Sequence, residues 1–300
     1  MRSKSLLLGS VSAVAVSAAY APALAQDLTI PDGYSLSVEG GFLMGPNTVA
    51  EDKLGSFPSG GVIDIQDNVG YRAAISLGKR IDPLWDLRVG ASLNHQLESI
   101  STFTFFSPGS GSSFSGEMRN DFDFENLDFE VGYTPVLDEN FQVRLFAGIR
   151  GLHYKDTLGF TATEDKVGSP HYNVDLQSEF IGAGPRIGAS ASTRFGDSNF
   201  GMSGMVSGAV IHGLERRSGQ ASVTTFSGGS IYSDSFTEEE WKTVLDVAAS
   251  LGLDYYVAEQ TKLTLGYRAE QLFNVGGGFP GGDSSDRLVH GPFMKFESEF

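Results

Sequence analysis

Among its 300 residues the chain has no cysteine. Disulfides therefore cannot staple the fold, and no thiolate can serve as nucleophile or metal ligand. Long apolar runs are missing after Ala25, so no segment there approaches the ~20 residues a helix needs to cross a bilayer. Basic residues are few: 21 Lys and Arg stand against 37 Asp and Glu, a formal net charge of −16. Such a balance excludes a nucleic-acid binder that works through a basic face. Metal-ligand spacings and phosphate-binding glycine loops are also missing, and no cofactor or metal is expected. The acidic set Asp121, Asp123, Glu125, Asp128 and Glu130 does not follow the spacing of a calcium loop.

The N-terminus has a different character. Arg2 and Lys4 precede a small, mostly apolar run from Leu6 to Ala21, and Ala23-Leu24-Ala25 forms a small-x-small site before Gln26. These are the three parts of a secretory signal peptide, and the run is too short and too rich in Ala and Ser for a spanning helix. The expected division is a signal peptide over residues 1–25 and a single domain over 26–300.

Within that domain, alternation with a period of two recurs in nearly every segment. Trp241, Thr243, Leu245, Val247, Ala249, Leu251, Leu253 and Tyr255 share one face, while Lys242, Val244, Asp246, Ala248, Ser250, Gly252 and Asp254 share the other. Similar patterns run through Tyr34–Phe42, Val69–Gly78, Leu87–Glu98, Phe141–Tyr154, Leu263–Glu270 and Arg287–Phe300. Three segments are less clean. A bulge is expected near Glu125-Asn126, where Phe122 and Phe124 fall out of phase with Leu127 and Phe129. A phase change is expected across Gly182–Pro185. The facing of Phe200–His212, rich in Gly, Ser and Met, is open.

Connections alternate in length. Short turns are expected at Ile81–Leu84, Pro135–Glu139, Gly196–Ser198 and Ala258–Gln260. Long loops are expected at Gly45–Asn68, Ser107–Met118, Thr157–Asn173, Glu215–Glu238 and Gly276–Asp286. Short and long joints taking turns are the signature of an all-β, up-and-down antiparallel transmembrane barrel, with short periplasmic turns and long extracellular loops. About ten strands are expected, which puts both termini on the periplasmic side. A soluble sandwich would alternate too, but its polar face would not be expected to carry so many charges beside small residues. The final strand ends on Phe300, an aromatic suited to the periplasmic boundary; its resemblance to the last residue of other barrel proteins implies a C-terminal assembly signal.

The lumen-facing charges are expected to be Arg72, Arg88, Asp128, Glu130, Arg144, Arg150, Asp246, Asp254, Arg268 and Glu270. Two readings stay open: a mutual salt-bridge network, because buried charges are paired, or the lining of a small ion path. Barrels of ~8 strands are filled by side chains and those of ~16–18 hold an open channel, so ten strands imply a narrow interior. A hydrolase would need an imidazole with a carboxylate or hydroxyl partner. His95, His153, His171, His212 and His290 are the only candidates; His153 falls in the outward phase, and interfacial or loop positions account better for all five. Phe103, Phe105, Phe106 and Phe114 suit an outer aromatic girdle or, less readily, an adhesive patch.

Leu145-Phe-Ala-Gly-Ile-Arg-Gly-Leu-His-Tyr154, Phe180-Ile-Gly-Ala-Gly-Pro-Arg-Ile-Gly188 and Leu265-Gly-Tyr-Arg268, with the terminal Phe300, resemble the Legionella-type major outer membrane protein family. The resemblance implies a pore-forming outer-membrane barrel, in some members also an attachment protein, with no catalytic residues. Members typically carry cysteines that cross-link subunits; this chain has none, which leaves only a non-covalent homo-oligomer. The expected function is a narrow passive pore for ions or small solutes. The alternatives are a non-conducting surface or adhesion barrel and, behind it, an outer-membrane hydrolase. Outer-membrane lipid, lipopolysaccharide and the barrel-insertion machinery are the expected partners.

Overall fold

The structure, a computed structural model, describes residues 33–45, 62–64, 68–107, 112–138, 141–166, 169–225, 229–275 and 285–300. The expected signal peptide, and most of the expected loops at Gly45–Asn68 and Gly276–Asp286, lie outside them. Every regular element among the described residues is a strand. In chain order these are β1 (Tyr34–Gly45), β2 (Val62–Asp64), β3 (Asn68–Arg80), β4 (Trp85–Gln96), β5 (Ser99–Ser107), β6 (Ser112–Tyr133), β7 (Val136–Asp138), β8 (Phe141–Glu164), β9 (His171–Arg194), β10 (Phe200–Thr224), β11 (Ser230–Ala258), β12 (Thr261–Val275) and β13 (Ser285–Glu299).

Each wall strand is antiparallel to its neighbours, and the sheet closes where β1 pairs with β13. Eleven of the strands form the wall; β2 and β7 are short additions on β5 and β8. Both β4 and β5 pair with β6, one after the other, so they make a single stave and the ring has ten. Between them Leu97 and Glu98 shift the register by one residue, a β-bulge. The even positions Asn94 and Gln96 point inward before it; the odd positions Ser99, Ser101 and Phe103 do so after it.

Closure answers why the chain can leave its apolar faces uncovered. Leu127, Ile181 and Leu253 are more than 60% exposed on the outside, as are many apolar neighbours, while Arg72, Arg150, Asp246 and Glu270 are buried inside. A closed ring with lipid outside satisfies every backbone group and every apolar face together. The outward apolar run on β4 is Trp85, Leu87, Val89, Ala91 and Leu93. Aromatic pairs mark its boundaries: Trp85 on Tyr133 and Phe200 on Tyr255 at the short-turn end, and Tyr71 on His95 and Trp241 on His212 at the other.

The turns at the first end follow from their residues. Asp82 Oδ1 accepts hydrogen bonds from the Leu84 and Trp85 amides at 2.8 and 2.9 Å, the side-chain-closed turn that aspartate favours. Gly196 supplies the positive φ of 56° in the β9–β10 turn.

Several expectations change. There is no bulge at Glu125-Asn126, because β6 keeps one register against β8 throughout. Phe122 and Phe124 simply point into the lumen. Nor does the phase change across Gly182–Pro185, since β9 keeps its register with both neighbours. Residues expected in the loops Ser107–Met118, Thr157–Asn173 and Glu215–Glu238 belong largely to strands. In consequence β6, β8, β9, β10 and β11 run for 22, 24, 24, 25 and 29 residues, against 12 and 13 in β1 and β3. A tilted strand needs only ~9–11 residues to cross a bilayer, so this half of the wall rises far above the membrane.

Candidate functional site

The inward positions of β8 read the lumen from bottom to top: Gln142, Arg144, Phe146, Gly148, Arg150, Leu152, Tyr154, Asp156, Leu158. Each stretch of that series belongs to a layer completed by other strands.

At the periplasmic end lies a vestibule of about 580 Å³, bordered by Tyr34, Arg88, Lys262, Glu297 and Phe300. Phe300 also closes the seam. Its amide donates to the Tyr34 carbonyl at 2.8 Å, and its carbonyl accepts from the Gly33 and Tyr34 amides at 2.5 and 3.2 Å.

The vestibule ends at a layer of charge. Arg150 binds Asp128 through two hydrogen bonds of 2.7 Å and also reaches Asp246 and, at 3.2 Å, Glu270. Glu270 accepts from Arg72 at 3.3 Å, and Arg72 donates to Glu39 and to Asn94 Oδ1 at 3.0 and 2.6 Å. Arg268 joins Glu39 at 3.1 Å. On the other side Arg186 pairs with Asp128 and Glu130, and Arg144 bridges Glu130 and Asp86 at 3.1 and 2.7 Å. The Phe146 ring takes cation–π contacts from two of these guanidinium groups, 5.1 Å from Arg144 and 5.0 Å from Arg186. One connected network thus spans β1, β3, β4, β6, β8, β9, β11 and β12. Burial makes each charge depend on its partners, because a lone ion at such a position is strongly disfavoured.

Above the charges comes an apolar layer. Leu43, Phe122, Phe124, Leu152, Tyr154, Phe180, Ala209, Ile211, Val244, Leu272, Val275 and Val289 form one buried cluster across the lumen. Tyr154 and Phe180 stack with centroids 5.1 Å apart. The Tyr154 hydroxyl points upward and donates to Glu215 at 2.6 Å, where Ser178, Arg217 and Lys242 also converge. Arg287 pairs with Asp156 at 2.8 Å at a similar level. A second apolar cluster of Phe103, Met118, Leu158, Ala162 and Leu176 fills the space above. Phe103 therefore belongs to the interior and not to an outer girdle.

Of the expected lumen charges, the network contains Arg72, Asp128, Glu130, Arg144, Arg150, Asp246, Arg268 and Glu270. Asp254 stands apart, accepting from Thr264 and Ser203 at 2.6 and 2.9 Å. Arg88 borders the vestibule. Glu39, Asp86 and Arg186 complete the network, beyond the residues expected. Glu39 and Arg186 fall on the inward parity of their strands, which is the signal that marks them. Among the described residues no histidine faces the lumen. His153 meets Glu179 at 3.2 Å on the outer surface, and His212 lies flat on Trp241.

Several solved structures are similar in shape. The outer membrane protease OmpT from Escherichia coli is 12% identical with a TM-score of 0.47, over 90% of this chain and 97% of that one. A major outer membrane protein from Thermus thermophilus is 13% identical with a TM-score of 0.33, over 89% and 99%. No curated protein matches the sequence. The family described as Legionella pneumophila major outer membrane protein precursor does match, across residues 78–299. That span holds the greater part of the charge network and of the apolar layer above it, and the chain belongs to this outer-membrane β-barrel family.

Proposed function

We propose that this protein is an integral outer-membrane barrel whose lumen is shut to passive flow, and whose tall β8–β11 wall is the working part at the cell surface. One observation carries the reading. Phe122, Phe124, Tyr154, Phe180, Ile211 and Leu272 meet in mid-lumen with no more than 1% exposure each. Ions cross a packed apolar constriction only if it wets, and such constrictions act as closed gates. The charge layer beneath is paired within itself, so it offers no ring of like charge to draw an ion through. Both points favour the surface barrel over the open pore. Lipid and lipopolysaccharide would surround the apolar band, and the insertion machinery would read the C-terminal strand. Residues 1–25 would be removed on export.

A gated pore is the second reading. The vestibule favours it, since half of a pathway already stands open from the periplasmic side to the charge layer. Recordings on the refolded barrel in planar bilayers separate the two. The surface-barrel reading expects no steady current at either polarity and loss of surface attachment when residues 218–235 are deleted. Brief voltage-dependent openings would favour the gated pore. A steady current at low voltage would overturn closure altogether.

A further inference from the structure

On the outer wall, where β4 and β6 rise past the apolar band, His95 stands opposite Asp123 in the strand pairing. His95 Nδ1 and Asp123 Oδ1 are 2.5 Å apart. Asp121 lies two residues before Asp123 on β6, on the same face, and one donor atom from each of the three lies within 4.8 Å of the others.

Four observations set this cluster apart from an ordinary acidic surface. The donors sit on paired strands, so the ladder fixes their spacing where a loop would not. Tyr71 packs against the His95 ring, centroids 5.1 Å apart, and holds its orientation. Asp121 Oδ1 is buried and has no hydrogen-bond partner, a state that buried carboxylate oxygens rarely keep. The level is also distinctive. Leu93 on β4 and Leu127 on β6 are the last outward apolar residues before the cluster, so it lies where hydrocarbon gives way to headgroups.

We propose that His95, Asp121 and Asp123 form a divalent-cation site. One imidazole nitrogen with two carboxylate oxygens is a donor set for a borderline ion such as Zn²⁺, whereas Ca²⁺ and Mg²⁺ favour oxygen alone. Three protein ligands leave a coordination position for water or for a phosphate oxygen of an adjacent lipid headgroup. The site would fasten the β4–β6 wall at the outer interface, and it is independent of whether the lumen conducts.

The test titrates the refolded full barrel in detergent with Zn²⁺ by calorimetry, with folding checked by heat-modifiable gel migration. Saturable binding at a single site is expected, weakened about tenfold or more in each of His95→Ala, Asp121→Asn and Asp123→Asn. His212→Ala, on the far wall, should bind as the parent does. If His95→Ala fails to fold, His95→Gln replaces it. The site is overturned if zinc does not bind saturably, if affinity is unchanged in the His95 and Asp121 variants, or if equimolar Ca²⁺ displaces the zinc.

Discussion

Arg150 grips Asp128 side-on, its Nε and Nη2 each 2.7 Å from a different carboxylate oxygen, and so leaves Nη1 free to reach Asp246 and Glu270. This fork is the hub of the luminal charge layer. It ties two carboxylates on β11 and β12 to one on β6 from a position on β8.

Arg150→Met should therefore be among the most damaging single changes in the barrel. It strands the buried carboxylates of Asp246 and Glu270 and the half-buried one of Asp128 with too little counter-charge, and breaking a buried pair costs about 3–5 kcal/mol. Arg150→Lys should rescue little, because an ammonium cannot make two parallel bonds. Urea unfolding from lipid vesicles measures both; a stable Arg150→Met barrel would show that the network adds little.

The apolar layer is expected to control wetting. The double variant Phe124→Ser and Phe180→Ser removes two rings that are each at most 1% exposed, leaving a polar gap beneath the Glu215 cluster. Planar-bilayer recordings should show steady small currents in the variant and none in the parent. Equal silence in both would mean that the paired charges alone suffice to close the lumen.

At the seam, Phe300 contributes through its main chain, by bonds to Gly33 and Tyr34. Deleting it should lower the fraction of chains that reach the heat-modifiable folded form. The conductance behaviour of the barrels that do form should match the parent.

The lack of cysteine makes orientation easy to test. Thr225→Cys, in the β10–β11 turn, should react with a membrane-impermeant maleimide on intact cells. Asp197→Cys, in the turn between β9 and β10, should react only after the outer membrane is opened. The reverse pattern would invert the barrel.

Legibility in the sequence follows the contrast between the two faces. In Trp241–Tyr255 one face is apolar and the other carries Lys242, Asp246, Ser250 and Asp254 with only Val244 and Ala248 as apolar exceptions, and β11 can be read residue by residue. The contrast fails where the lumen itself is apolar. Phe122, Phe124, Leu152, Tyr154, Leu176 and Phe180 point inward, yet by type they resemble Leu127, Ile149 and Ile181, which point to lipid. Hence the pattern suggests a bulge where the strand is regular, while the actual bulge at Leu97-Glu98 leaves little trace. Above the membrane, no lipid-facing side demands apolar residues. There Ser, Thr, Gly and Glu in β10 and β11 read as loop, though the ladder continues through them to Thr224 and Ser230. The charge network is legible from inward parity, but its pairings depend on which strands the ring brings together, and that is set by closure.

The unequal strand lengths give the molecule a front and a back. On one side a screen of five long strands, β6 and β8 to β11, flanked by the β4–β5 stave, stands over the membrane; on the other, β1 and β3 end close to its surface. A macromolecule arriving from outside would touch that screen first, and could lean against its inner slope only from the low side. Rotation about the membrane normal thus decides what each barrel offers its surroundings.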